Sequence, residues 1–377
     1  MFESVYQFIV TSSLLIIFAN FLNNLRILSK QTVIKAKSGN FPLISVLIPA
    51  RNEEKKIARC LESLLAQDYP NYEIVVLDDN STDRTWEIVK SFSSSHPNLR
   101  LIKGKPLPPE WTGKNYACYQ LVLAAEGEWF LFTDADTVHA PNSVSVAFAS
   151  AIFNQCDVLS LLPKCPTETL SEDIFLPLIN FSFLAFLPLG LINKIKDPRV
   201  SALLGPFIFI RRDFYLKIGG HEAVKGQILD DLQLAQLAKR EGGKIVLIDG
   251  KSLVSVRFYH GFREIWSGFS KNAFGALGNS LSILFGFMLF NISIFILPYY
   301  FLYQGIISSN YINSPLIQVI IISSIRLVQA EKYESSLWKA LLHPFSIAMG
   351  ALISLNSARL TFLKGAVEWK ERYYPVQ

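Results

Sequence analysis

The stretch EWFLFTDAD, Glu128 to Asp136, decides how this chain is read. Trp129 to Phe132 is a short apolar run with Thr133 at its rim, the pattern of a buried strand. It stops at two carboxylates one residue apart. Residues i and i+2 of extended backbone face the same side, so a strand end can aim Asp134 and Asp136 at one cation. Carboxylate oxygens are hard ligands suited to Mg²⁺ or Mn²⁺, ions that usually share their shell with substrate phosphates. An Asp-x-Asp taken alone is equally the chemistry of a polar turn, so its meaning depends on its surroundings.

Upstream, strands and helices alternate. Leu43–Ile48 is strand-like. Glu53–Gln67 is helical, with Ile57, Cys60, Leu61, Leu64 and Leu65 at the helical period. Tyr72–Leu77 is a second strand, and Ser81 or Thr82 can cap the helix that carries Trp86 and Val89. Leu99–Lys103 is a third strand, Asn115–Ala125 a helix, and Trp129–Thr133 the fourth strand. Downstream, Asp157–Leu162, Gly205–Ile210, Lys244–Ile248 and Leu253–Phe258 read as strands, and Leu229–Arg240 as a helix. This alternation predicts an α/β domain with a mostly parallel sheet, helices on both faces, and ligands bound beyond the carboxyl ends of the strands.

Four clusters fall at element ends: Pro49–Glu53, Asp78–Asp83, Asp134–Asp136 and Asp230–Asp231. Each alone reads as a turn or a helix cap. Together they put acids on one rim of one sheet. The chemistry that wants such a set is transfer from a nucleotide diphosphate donor. Asp79 can accept a base N–H, and a cation on Asp136 with Asp134 nearby can neutralise a departing diphosphate. Lys114, at a helix start, can meet a phosphate. Asp231 is the expected base for an acceptor hydroxyl, with Asp230 holding or tuning it.

Half of the 377 residues are hydrophobic and 18% are charged, against roughly 25% charged in an average soluble domain. The deficit lies at the two ends. A net charge of +5 without a basic stripe suits an anionic leaflet rather than nucleic acid. Cys60, Cys118, Cys156 and Cys165 form no Cys-x-x-Cys pair and read as core thiols of a reducing compartment. Residues 4–22 are uncharged and long enough to span a bilayer, and Arg26, Lys30, Lys35 and Lys37 follow at once, placing that flank in the cytoplasm. Ile174–Ile192 is apolar but holds Pro177 and Pro188, the pattern of a surface-lying or re-entrant segment more than a span. His260–Phe274 carries a stripe of Phe262, Ile265, Trp266, Phe269 and Ala273, which fits an interfacial helix or one packed on the core. Leu281–Ile307, Pro315–Val328 and Leu341–Phe362 close the chain. If all three span, the tail with Lys364, Lys370 and Arg372 falls outside, against the charge rule. The expected organisation is an N-terminal transmembrane helix at 1–25, a catalytic domain at 40–260, an interfacial helix at 261–277 and membrane segments at 281–362.

The run SVLIPARNEEKKIARCLESLLAQDYPNYEIVVLDDNSTDRT (45–85), the DAD at 134–136 and the LDDLQLA at 229–235 resemble, in order, the motifs of the family 2 glycosyltransferases. That resemblance implies a GT-A fold, a Rossmann-like α/β nucleotide-diphospho-sugar transferase domain, here between one N-terminal and about three C-terminal membrane segments. It implies an inverting single displacement from a nucleotide sugar, usually a UDP-sugar with Mn²⁺ or Mg²⁺, of hexosyltransferase type. By position, Pro49, Glu53 and Asp79 would line the nucleotide pocket, Asp136 would be the chief metal ligand, Asp134 would contact the donor and Asp231 would be the base. Two departures stand out. Processive members carry Gln-x-x-Arg-Trp, whereas the nearest match here is Arg263-Glu264-Ile265-Trp266, which favours addition of a single sugar. The second acidic motif begins with Asp230 instead of Glu.

More narrowly, LPPEWTGKNYAC (107–118) and FIFIRRDFYLKIGGH (207–221) resemble the bacterial subgroup that includes carotenoid-type and hopanoid-associated glycosyltransferases. That implies a lipid acceptor dissolved in the cell membrane, a multi-pass chain with a cytoplasmic catalytic domain, and Trp111, His221 and Trp266 on the acceptor side, or else as interfacial anchors. Two rival readings are a membrane scaffold that binds a nucleotide sugar without turning it over, and a polyprenyl-phosphate sugar transferase whose basic patch could be Arg211 and Arg212, which read more plainly as a membrane-facing pair.

Overall fold

The computed structural model describes residues 2–30, 41–308, 312–364, 366–369 and 372–375; Lys35, Lys37 and Lys370 lie outside the described residues. The expected alternation folds as β1 (Ile44–Ala50), β2 (Tyr72–Asp78), β3 (Leu99–Lys103) and β4 (Trp129–Phe132), followed by β5 (Thr137–His139), β6 (Val158–Lys164), β7 (Ile208–Arg211) and β8 (Ile245–Val256). They form one sheet in the order β3-β2-β1-β4-β7-β6-β8-β5. The first four of that order are parallel. β7 runs antiparallel to both β4 and β6, β8 is parallel to β6, and β5 is antiparallel to β8.

This order forces curvature. β5 starts a few residues after β4 yet lies four positions away in the sheet. In a flat sheet that is about 19 Å at ~4.8 Å per strand, close to the limit of what the connecting residues can reach when fully extended. The sheet instead curls until β5 returns beside the end of β4, where Thr133 Oγ1 lies 2.9 Å from Thr137 Oγ1 and 3.0 Å from His139 Nε2. The strand alternation of period two then serves two cores. Ile44, Val46 and Ile48 pack with Ile57, Cys60, Leu61 and Leu64 on one face. Leu47, Val75 and Leu77 pack with Ala117, Cys118 and Leu121 on the other. All four cysteines are free, and Cys60, Cys118 and Cys156 are buried.

Several expected boundaries move. The first helix is Ile57–Leu65, because Glu53–Lys56 is a turn closed by Lys56 N–H donating to Glu53 O at 2.9 Å. Lys244–Ile248 and Leu253–Phe258 are one strand, β8. The sequence Asp249-Gly250 reads as a turn, but Gly250 sits where a Cβ would lie 2.3 Å from the Leu161 side chain. Its glycine serves a close approach of β6.

The chain divides into two units, one of Ile27–Pro166 with Leu189–Arg257, which holds the sheet, and one of Met1–Arg26, Thr167–Pro188 and Phe258–Gln377, which is built mainly of helices. In the helical unit, Glu3–Lys30, Leu281–Ser308 and His343–Leu363 are long and apolar enough to cross a membrane. The run at 174–192 breaks at its prolines into the short helices Leu170–Phe175 and Pro177–Phe186. The middle C-terminal run is the helix Asn313–Lys332, which buries Gln318, Arg326 and Gln329. Gln318 Nε2 donates to Gln7 Oε1 at 2.8 Å, and Gln329 Nε2 to Pro177 O at 2.7 Å. The Gly261–Ala276 helix packs Ile265, Trp266, Phe269 and Ala273 with Phe175, Leu176 and Ile353, while Phe262 is exposed.

Candidate active site

The carboxyl ends of β1, β2 and β4 meet on one rim. Two loops there are laced together. Asn52 N–H donates to Ser81 Oγ at 3.0 Å, Glu53 N–H to Thr85 Oγ1 at 2.8 Å, Glu54 N–H to Asp83 Oδ2 at 3.0 Å, and Thr82 N–H to Asn52 Oδ1 at 2.9 Å. Arg51 Nη1 donates to Asp79 O at 2.7 Å. Asn52 and Asn80 both adopt positive φ, 53° and 54°, which Asn tolerates better than most side chains. The lacing, with Asp79 N–H donating to Ala50 O at 2.8 Å, fixes the buried Asp79 at the end of β1. Arg51, Asn52, Asp83 and Thr85 thus position the expected nucleotide residues. Their signal was the polar density of RNEE and DDNSTDRT.

The DAD loop is pinned from both sides. Thr133 Oγ1 donates to Pro206 O at 2.8 Å and Thr137 Oγ1 to Asp134 O at 2.8 Å. Burial lowers His139 to about 3, so it stays neutral in this cluster. The legible signal was the pair of threonines flanking Asp-Ala-Asp.

Lys114 is the second residue of the Gly113–Ala124 helix, which Thr112 caps by accepting from Asn115 N–H. The buried Asn115 side chain donates to Val224 O at 2.7 Å and Gln227 O at 2.9 Å, tying this helix start to the loop ahead of Asp230. Lys114 Nζ stands 3.0 Å from Asp134 Oδ1 and 3.4 Å from Asp230 Oδ2. Burial alone would lower Lys114, but Asp134 and Asp230 hold it well above its ordinary value. Asp231 Oδ2 accepts Gly205 N–H at 3.2 Å, and its Oδ1 accepts Leu232 N–H at 2.8 Å. A Cβ on Gly205 would lie 3.2 Å from Lys114 Nζ, 3.4 Å from Asp134 Oδ2 and 3.7 Å from Asp231 Oδ2. Gly205 is therefore the point on which the three charged groups converge, and the sequence reading took it as plain strand.

Burial, then the charge of Asp230, pushes Asp231 up to about 6. Burial likewise raises Asp134, with Lys114 opposing and Asp136 adding to the rise. Asp136 Oδ2 takes Lys56 Nζ at 3.1 Å. Pro49, Lys114, Asp134, Gly205, His221 and Asp230 all line one narrow cleft.

The acceptor-side expectations separate. His221 is buried in the cleft wall, its Nδ1 2.7 Å from Tyr215 Oη and its ring 4.8 Å from Phe132. Burial lowers it to about 4, so it is neutral at pH 7. Trp111 packs on Tyr116 and Tyr119, with centroids 5.2 Å away in each case. Trp266 belongs to the helical unit, beside Phe262. Arg211 and Arg212 supply no basic patch at this site. β7 runs antiparallel to β4 and pairs Arg211 with Trp129, at the far end of the strand from Asp134. There Arg211 is taken up by Asp157 at 3.1 Å and Asp213 at 2.5 Å.

Asp134 and Asp136 can also be tested against the expected divalent cation. Both offer hard oxygens, each held by a lysine ammonium that an incoming cation can replace. Among the described residues no group of three or more His, Cys, Asp or Glu could hold a metal. The pair fits an ion that completes its shell with donor oxygens and water, not a metal caged by protein.

The family model described as Glycosyl transferase family 2 matches residues 45–219. The 4,4'-diaponeurosporenoate glycosyltransferase of Staphylococcus aureus (strain USA300) is 26% identical over 269 residues, 68% of each chain. Among solved structures, the mannosyltransferase PcManGT from Pyrobaculum calidifontis, in complex with GDP-Man and Mn²⁺, is similar with a TM-score of 0.53 at 16% identity, covering 94% of this chain and 99% of that one. That likeness speaks for the fold, and the fold is GT-A.

Proposed function

Given that the chain carries a family 2 glycosyltransferase domain, we propose that it moves a single sugar from a nucleotide-sugar donor, a UDP-sugar first among the candidates, to a lipid acceptor in the membrane, with inversion at the sugar carbon. The observation that carries this reading is the convergence of Lys114, Asp134 and Asp231 on the side-chain-free space at Gly205.

Pro49, Glu53 and Asp79 bind the nucleotide, with Asp79 accepting from the base. Asp134 and Asp136 hold Mn²⁺ or Mg²⁺, which when bound neutralises charge on the diphosphate. Lys114 offers a second positive charge to the leaving phosphate. An anionic donor entering a rim of four aspartates is repelled unless cations intervene, so cation dependence follows from the charges. Asp231, raised to about 6, is close to the working pH that suits a general base. It takes the proton of the acceptor hydroxyl as the new glycosidic bond forms, and Asp230 keeps its carboxyl raised and in place.

A lipid acceptor is supported by the three helices long and apolar enough to cross a membrane and by the name of the Staphylococcus aureus relative. With the DAD rim in the cytoplasm, a polar donor arrives from water and an apolar acceptor from the bilayer. A lipid-phosphate acceptor is the weaker reading, since Arg211 and Arg212 sit at the opposite end of β4.

The test is a donor screen on detergent-purified protein. Ligands that bind the folded state raise the melting temperature by mass action. Stabilisation by one nucleotide sugar, dependent on Mn²⁺ or Mg²⁺ and lost in Asp136→Ala, is expected. Folded protein that responds to no UDP-, GDP- or TDP-sugar would reject the reading.

A further inference from the structure

The helical unit contains a half-open cavity of about 500 Å³. That size lies within the range of small-molecule sites, roughly 300–1,000 Å³. Its wall is dominated by phenylalanines: Phe175, Phe181, Phe186, Phe269, Phe287 and Phe290. The polar side chains on the wall are turned back on their own helices. Ser182 Oγ donates to Leu178 O, Asn291 Nδ2 to Phe287 O and Ser354 Oγ to Gly350 O, each at 2.8 Å. A head group, sugar or phosphate would find few donors to replace its water there, and burying an unpaired polar group is costly. A hydrocarbon chain has no polar group to desolvate there and can pack against six aromatic rings.

We propose that this cavity holds the hydrocarbon chain of the acceptor lipid, as a site distinct in chemistry from the charged cleft of the sheet unit. The inference rests on the lipid-acceptor reading above. It makes the cavity the determinant of acceptor choice: the cleft reads the group that receives the sugar, and the cavity reads the chain attached to it. The same apolar chemistry could be met by bulk phospholipid tails, and the experiment separates the two sources.

Gly350 gives the handle. A Cβ there would lie 3.9 Å from Phe175 Cε2, an ordinary van der Waals contact. Leucine therefore fits at its root, extends into the cavity, and favours the helix by comparison with glycine. Full-length protein is photolabelled with a diazirine-bearing geranylgeraniol or a diazirine-bearing phosphatidylcholine. The expected result is saturable labelling of the segments Phe287–Asn291 and Ile347–Ser354 by the isoprenoid alone, reduced about tenfold in Gly350→Leu. kcat/KM for a long-chain acceptor falls by a similar factor, while stabilisation by the nucleotide sugar is unchanged, showing that the variant is folded. Ser182→Leu, at an exposed wall position on another helix, is the second plug should Gly350→Leu fail to fold.

Equal, unsaturable labelling by phosphatidylcholine would make the cavity a bulk-lipid groove and overturn the proposal. So would lipid transfer that neither plug alters, and in that case the lipid-acceptor reading survives. Absence of transfer to any lipid by wild-type protein that still binds its donor defeats that reading itself, and the cavity's assignment with it.

Discussion

The two rims of the sheet carry charge in opposite styles. At the amino ends of the parallel strands, Arg100 meets Glu73 at 2.5 Å and Glu126 at 3.3 Å, and Arg211 meets Asp157 and Asp213. These arginines are about two-fifths exposed, and each is matched by two acids of its own. At the carboxyl ends, Lys114 is divided between Asp134 and Asp230, Asp231 accepts the backbone N–H groups of Gly205 and Leu232, and Asp136 leans on Lys56. Density of charge is therefore a poor guide to a site. What separates the rims is burial together with incomplete pairing, because a poorly hydrated, shared charge is ready to exchange partners with a ligand.

That contrast can be broken from the active side first. Asp231→Asn removes the proposed proton acceptor and keeps the shape, so kcat should fall about 10²–10⁴-fold while nucleotide-sugar stabilisation persists. As the proposed base, Asp231 would work ionised, so the wild-type rate should rise as pH climbs through about 6. Asp230→Asn, by removing the neighbouring negative charge, should move that limb to lower pH. A flat profile across this range would remove the base assignment. Lys114→Met should have a smaller effect on the chemical step and a larger one on donor binding. KM for the donor rises, and the protein loses stability, because Asp134 and Asp230 are left without their shared cation; calorimetry and initial rates read both. The smallest effect belongs to the other rim. Arg211→Gln, at a 43% exposed side chain, should change stability by about 0–1 kcal/mol and leave transfer untouched. A large loss of activity there would mean that the two rims are not separate in function.

Much of the acidic rim was readable because its residues are contiguous in sequence. Pro49–Glu53, Asp78–Asp83 and Asp134–Asp136 each sit where an apolar strand ends, so the rim follows from the alternation alone. What escaped depends on partners far away in sequence. Gly205 matters because Lys114, Asp134 and Asp231 arrive beside it. Asn115 matters because the 224–227 loop folds over its side chain. The direction of β7 is a property of strand order, which period-two patterning does not encode, and so Arg211 and Arg212, the basic patch of the rival polyprenyl-phosphate reading, stand at the wrong end for it. The two strands expected at Lys244–Ile248 and Leu253–Phe258 are one for a related reason, since a glycine such as Gly250 serves a close strand crossing as well as a turn. In the helical unit, hydropathy identified spans by length, but the inward polar stripe of Gln318, Arg326 and Gln329 gave the middle run a different character.

The interleaving of the two units has a consequence for how the molecule is made. The chain leaves the sheet after Pro166, returns at Leu189 and has supplied its last strand by Val256. β5, which closes the curl next to the aspartates, must wait for β8, more than a hundred residues later, and such long-range strand pairing is slow. A nascent chain emerging at ~5–20 residues per second therefore carries an unclosed sheet edge for several seconds, with β5 unpaired and the DAD loop only half pinned. Yet the whole sheet can close before the final helices have been synthesised. The acidic rim is in this sense an early product of translation, and the C-terminal helices are added after the last strand of the sheet has been made.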